Sequence, residues 1–224
     1  MEFQRSSSTP NPPKYKLGEE IAHSVTHGVG IIFAIAALVV LTAYTGSSGS
    51  ARHVVGCGIF GATLVFLYMA STLYHTIHSP HAKTVLRVLD HSAIFLLIAG
   101  TYTPFTLVNL HGPWGWSLFG LIWGLAILGI ALQFSLLRRY PFLRVVLYVA
   151  MGWLAILAIK PLALSVPPVG LMLLIAGGVA YTAGITFYVW HRLPYHHAIW
   201  HVFVLAGSVF HFFSVFYSVI PSMA

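Results

Sequence analysis

Asp90 is the only aspartate in this 224-residue chain, and it stands at the head of an apolar run, LRVLDHSAIFLLIAG. The other acidic residues, Glu2, Glu19 and Glu20, lie in or beside the N-terminal tail. An ionisable group at membrane depth is costly and marks a function or a partner. Histidines supply the partners: Ser71 and His75 close one apolar run, and His197 and His201 open another. Members of each pair are four apart, so each pair shares one helix face. Two imidazoles at that spacing can serve one zinc, as in HExxH, although HAIWH lacks the intervening Glu and implies no soluble metalloprotease. Three His ligands and a water form a catalytic zinc arrangement with one open position. Asp90 could hydrogen-bond that water and accept its proton. Imidazole donors favour zinc over magnesium or calcium.

Each residue alone has a plainer reading. Interfacial histidines often bond headgroups or neighbouring helices. Asp90 could pair with Arg87 one turn earlier, and Ser71 could be an interhelical or back-bonding hydroxyl. His23 and His27 stand equally as supports for the ligands, a proton path or packing groups, and Glu20 as a carboxylate favouring a helix N-terminus. His53, His78, His81, His111, His191 and His211 read as loop, interface or packing residues. His196 points about 100° away from His197 around its helix and is left out of the site.

The elements that must position these residues are membrane helices. Hydrophobic residues make up 58% of the chain and charged residues 7%, with a mean hydropathy of +0.86; soluble domains carry about 25% charged residues. The net charge of +7 does not indicate nucleic acid, because Lys and Arg are scattered singly with no basic face. Cys57, the single cysteine, excludes an internal disulfide or CxxC motif and reads as a packed thiol. The polar first twenty residues contain no signal peptide. A flexible tail is expected over 1–16, followed by one membrane domain over 17–224. Seven runs are long enough to span, near 21–44, 54–78, 84–109, 114–136, 142–163, 168–191 and 196–219. Gly28, Gly30, Gly177, Gly178 and Gly184 are expected to allow close packing, and Trp114, Trp116, Tyr140, Trp190 and Tyr195 to mark the interfaces.

The tail and loops two, four and six hold Arg5, Lys14, Lys16, Lys83, Arg87, Arg138, Arg139, Arg144 and Arg192. The other side holds Arg52 and Lys160, the latter as a snorkelling end residue. Nine against two predicts a cytoplasmic N-terminus and an external C-terminus, the reverse of G-protein-coupled receptors. The last span has no lysine for a retinal Schiff base. In this orientation Glu20, His23, His27, Ser71, His75, Asp90, His197 and His201 all fall near the cytoplasmic face, while the outer halves are nearly free of ionisable groups.

The segments EEIAHSVTHGVG, ASTLYHT, LDHSAIFLLIAGTYTPF, MGWL and LPYHHAIWHVFVLAGSVFHF resemble the bacterial hemolysin III family. That family belongs to the progestin and adipoQ receptor (PAQR) superfamily, which includes the adiponectin receptors. The resemblance runs from about Lys16 to the C-terminus. It implies a seven-helix bundle with its N-terminus in the cytoplasm, multi-pass in the bacterial inner membrane. It also implies zinc held by His75, His197 and His201, with Asp90 and Ser71 as catalytic residues. These proteins look similar to alkaline ceramidases, so the resemblance implies a hydrolase of lipid amide or ester bonds, with membrane lipids as partners and a role in membrane lipid or energetics homeostasis. The longer N-terminal domain of the receptors is absent, so hormone reception is not carried over. Two rival readings are a non-enzymatic sensor with a structural zinc, and a pore-forming hemolysin-like protein or transporter; the nearly uncharged outer halves weigh against the latter. Neither oligomeric state nor substrate identity follows from the sequence.

The charge asymmetry makes a direct prediction. Alkaline phosphatase fused after Ala224 should be active, and a reporter that works only in the cytoplasm should be silent there. The opposite pattern would reverse the orientation.

Overall fold

The computed structural model describes residues 15–110 and 112–220. His111 and the tail residues 1–14 lie outside the described residues. No strand occurs among the described residues. Among the described residues, seven helices are long and apolar enough to cross a membrane: α1 (Leu17–Ser48), α2 (Ala51–Thr76), α3 (Pro80–Asn109), α4 (Pro113–Leu132), α5 (Pro141–Ser165), α6 (Pro168–Val189) and α7 (His196–Val219). Helices suit this composition because hydrocarbon offers no partner to a free backbone N–H or C=O. Proline opens α3, α4, α5 and α6, where its missing N–H costs nothing. Gly112, just before α4, has φ 93°, a left-handed conformation that glycine adopts without strain.

Two spans are irregular for identifiable reasons. Pro104 has no N–H to donate, and α3 continues as a π-turn over Phe105–Asn109. α5 breaks after Gly152 into a 3-10 turn, Leu154–Ala158, before resuming at Ile159. Tyr102 of α3 staples the break. Its hydroxyl lies 2.9 Å and 2.8 Å from the carbonyl oxygens of Met151 and Gly152, and accepts the Ala155 N–H at 2.8 Å.

α1 packs along α2, α2 along α3 and α6 along α7, and α1 closes against α7. The buried face of α1 reads Glu20, His23, His27, Gly30, Ala34, Ala37, Leu41 and Thr45, polar at one end and small or apolar beyond. Its other sides expose Ile21, Val25, Ile32 and Val39, as expected of a lipid-facing helix. Cys57 is fully buried, and Trp114, Trp116, Tyr140, Trp190 and Tyr195 are exposed.

Glycines set the closest approaches. A Cβ on Gly30 would overlap the Tyr68 ring, and one on Gly177 or Gly184 would meet His211 or Phe203. Gly28 and Gly178 are different: Gly28 faces open space and Gly178 only ordinary contact with Trp153. The helical period turns Gly28 off the buried stripe that holds His27 and Gly30. Gly56 is tight against main chain, since its Cβ would lie 2.9 Å from the Cα of Pro104. Backbone cannot swing aside as a side chain can, so Gly56→Val should destabilise by about 1–3 kcal/mol. Thermal unfolding in detergent checks this, with Gly28→Val as the harmless comparison.

Candidate metal centre

One end of the bundle gathers the polar residues. α1 contributes Glu20, His23 and His27 from one face; α2 contributes Ser71 and His75; α3 contributes Asp90; α7 contributes His197 and His201. All are buried, with His23 and His201 at 0% exposure and Asp90 at 6%. His75, His197 and His201 each offer a ring nitrogen, and these three atoms lie within 4.8 Å of one another. Ring centroids are 5.3 Å apart for His75–His197 and for His75–His201, and 4.7 Å for His197–His201. A tetrahedral zinc with N at 2.0–2.1 Å separates its donors by about 3.3 Å, so small ring rotations close the set.

Hydrogen bonds on the outer nitrogens fix which atoms are free. His75 Nδ1 lies 2.7 Å from Glu20 Oε2. His201 Nδ1 lies 3.3 Å from the His23 carbonyl oxygen and 3.2 Å from Thr26 Oγ1. A carbonyl only accepts, and a carboxylate does too, so both Nδ1 atoms carry the proton and both Nε2 atoms keep the lone pair. Those two Nε2 atoms and His197 Nδ1 are buried without any partner among the described residues. Buried ring nitrogens left unpaired at a point of convergence are what a metal would satisfy. The residues therefore fit a divalent transition metal.

The surroundings hold the rings in place. His27 stacks on His201 with centroids 3.5 Å apart and planes 10° from parallel, and meets Tyr68 edge-on at 5.1 Å. Tyr68 in turn donates to Ser208 Oγ at 2.7 Å. Tyr15, just before α1, lies over the site with its ring 4.7 Å from His23 and 5.3 Å from His197; burial pushes its phenol well above the usual range. Tyr195, which precedes α7, has φ 58°, and its N–H donates to Glu19 Oε1 at 3.2 Å, tying the start of α7 to that of α1.

Asp90 lies outside the triad. Together with His197 it lines a cavity of about 210 Å³ that continues between apolar side chains such as Leu97, Ile98 and Leu171. Ser71 sits beside Asp90, yet its Oγ makes no well-formed hydrogen bond. Arg144, buried on α5, lies near enough for its charge to act on Asp90, and its Nη1 lies 3.1 Å from His91 Nδ1.

The sequence pattern described as haemolysin-III related matches residues 15–212. The chain belongs to that family. It is 48% identical over 204 residues to "Hemolysin-3" of Bacillus cereus, covering 91% of this chain and 93% of that protein. It is 46% identical over 203 residues to the "Hemolysin-3 homolog" of Bacillus subtilis (strain 168), covering 91% and 95%. A more distant relative is the "Monocyte to macrophage differentiation factor" of Homo sapiens, 27% identical over 203 residues and covering 88% and 83%. With its seven apolar helices, this haemolysin-III-related chain is a multi-pass membrane protein.

Sequence reasoning named His75, His197 and His201, whose ring nitrogens converge, and Asp90 and Ser71, which lie next to one another outside that triad. It missed two participants. Glu20 is not simply a helix-end charge: it joins His75 and, at 2.5 Å, Lys83 Nζ. Tyr15 was assigned to the tail, yet it packs on the histidines. The spacing of Glu20, His23 and His27 over two turns of one face was the available signal for the first; nothing in the sequence marks Tyr15. Because Glu20 holds His75 by its outer nitrogen, Glu20→Gln should weaken retention of a bound zinc about 10–100-fold. Competition with a chromophoric chelator measures this, and unchanged retention would remove Glu20 from the site.

Proposed function

We propose that this protein is a zinc-dependent hydrolase of lipid amide or ester bonds, working within the membrane near its cytoplasmic face. The observation that carries the reading is the junction of two features. Three histidines converge, each with a buried ring nitrogen that has no partner among the described residues, and His197 of that triad shares with Asp90 the wall of an apolar cavity. A metal alone would suit many proteins; a metal triad at the head of an apolar cavity suits a substrate with a long hydrocarbon part. The cytoplasmic placement rests on the nine-to-two distribution of Lys and Arg.

When bound, zinc supplies Lewis acidity, polarising a carbonyl and lowering the pKa of water to about 7. The remaining work falls to the chain. His75, His197 and His201 would hold the ion, and the Glu20 contact to Nδ1 keeps the His75 ring in the orientation that presents Nε2. Asp90 accepts the proton of the attacking water and returns it to the leaving amine or alkoxide, serving in both transfers. Ser71, whose hydroxyl is not committed elsewhere, donates a hydrogen bond to the oxyanion that develops on the carbonyl. Leu97, Ile98 and Leu171 surround the hydrocarbon chain and keep bulk water out.

A second reading has one observation in its favour. The histidine triad joins α2 to α7, while Glu20 adds α1, so a bound ion would also brace three helices. That is what a structural zinc in a membrane sensor would do.

Asp90→Asn and His197→Ala separate the two. In the hydrolase, Asp90→Asn keeps its zinc and loses activity by about 10²–10⁴-fold, because an amide cannot take up the water's proton. His197→Ala loses tightly held zinc. Release of fatty acid from ceramide-like and phospholipid substrates, zinc content and thermal unfolding are measured on the same preparations. A folded, zinc-loaded Asp90→Asn protein that cleaves or functions like the parent contradicts the hydrolase and leaves the sensor.

A further inference from the structure

Glu20, His23 and His75 make a second donor set, all buried, with ligand atoms again within 4.8 Å of one another. It shares His75 with the first. The two ring nitrogens of His75 serve different sides: Nδ1 meets Glu20 at 2.7 Å, and Nε2 is left without a partner. His23 is the unexplained member. It is 0% exposed, and neither ring nitrogen has a hydrogen-bond partner among the described residues, although Nδ1 stands 3.7 Å from Glu20 Oε2. His211, a packing histidine, bonds the Leu174 carbonyl at 3.1 Å; His27 shares the lack of a partner on both nitrogens, but it stacks on His201 and is not in this donor set.

Lys83 completes the picture. Its Nζ sits 2.5 Å from Glu20 Oε1, and its side chain keeps 14% exposure. An ammonium in that place neutralises the carboxylate when no other cation is present, and it can withdraw toward water when one arrives. Glu20 lies in the first turn of α1, so an ion entering from that end meets it before the deeper His201.

We infer that Glu20, His23 and His75 form a loading site for a divalent transition metal, which passes from there to His75, His197 and His201. The inference rests on the reading of that triad as the metal centre. The two sites are used in turn. Once Nε2 of His75 is a ligand, its Nδ1 proton belongs to Glu20, and the loading set loses a donor. A mixed imidazole and carboxylate set accepts zinc or cobalt and discriminates against magnesium and calcium.

The test uses purified apo-protein in detergent and zinc itself as the probe, with uptake followed by stopped flow against a chromophoric chelator. His23→Ala should slow uptake about tenfold or more while shifting equilibrium affinity less than about threefold, since His23 is not among the final ligands. The double variant His197→Ala/His201→Ala should still hold one zinc, more weakly, and adding His23→Ala should remove it. Uptake at the parental rate in folded His23→Ala overturns the loading site. So does a folded double variant that binds no zinc, or one whose zinc is indifferent to His23. If the double variant does not fold, the uptake rate decides alone. A parent protein that takes up no zinc fails the metal centre and the loading site together; a parent that loads normally, with His23→Ala loading as fast, fails only the loading site.

Discussion

A histidine nitrogen buried inside a membrane helix bundle must be paired with another protein group, with water or with a metal, because the surrounding hydrocarbon pairs with nothing. Each buried polar atom left unpaired costs about 1–3 kcal/mol. Here that constraint is concentrated at one end of seven helices, where His23, His27, His75, His197 and His201 are all buried. Two of them spend their outer nitrogens on Glu20, Thr26 and a backbone carbonyl, and so turn a lone pair inward. The arrangement is expensive unless something occupies the point of convergence.

The rest of the bundle follows from keeping that point fixed and dry. α1 changes along its length from Glu20, His23 and His27 to Gly30, Ala34 and Ala37, so one face serves the site and then packs closely on α2. Gly30 receives the Tyr68 ring, and Tyr68 reaches both the His27 ring and the Ser208 hydroxyl. Close packing by small residues and the ring stack behind His201 are thus one feature seen from two sides. On the other flank, the Tyr102 staple holds the broken α5 against α3, the helix of Asp90, and both helices line the apolar cavity. Metal donors, a carboxylate and a hydrocarbon-sized space are brought together by the same helix contacts.

Much of this was legible beforehand, and the reasons are specific. Apolar runs of membrane length announce helices strongly, and the expected span at 196–219 coincides with α7, while α1 extends beyond 21–44 at both ends. His197 and His201, and Ser71 and His75, were legible because a spacing of four leaves no choice of face. The convergence of the triad was legible because the helices alternate in direction. Glu20 was not, because a carboxylate in a first turn has an adequate local explanation, and its true partners lie 55 and 63 residues away. Tyr15 precedes the first apolar run, and only the packed structure places its ring on His23. Gly28 looked like Gly30 because composition ignores the 200° between their directions on the helix.

Zinc content is the most direct measure of the central claim. Protein purified without chelator and without a polyhistidine tag is subjected to elemental analysis after its fold has been checked by circular dichroism. The account predicts one zinc per chain, lost when His75, His197 and His201 are replaced. Less than about a tenth of an equivalent in the folded parent protein would contradict it, because structural and catalytic zinc sites alike retain the ion through purification.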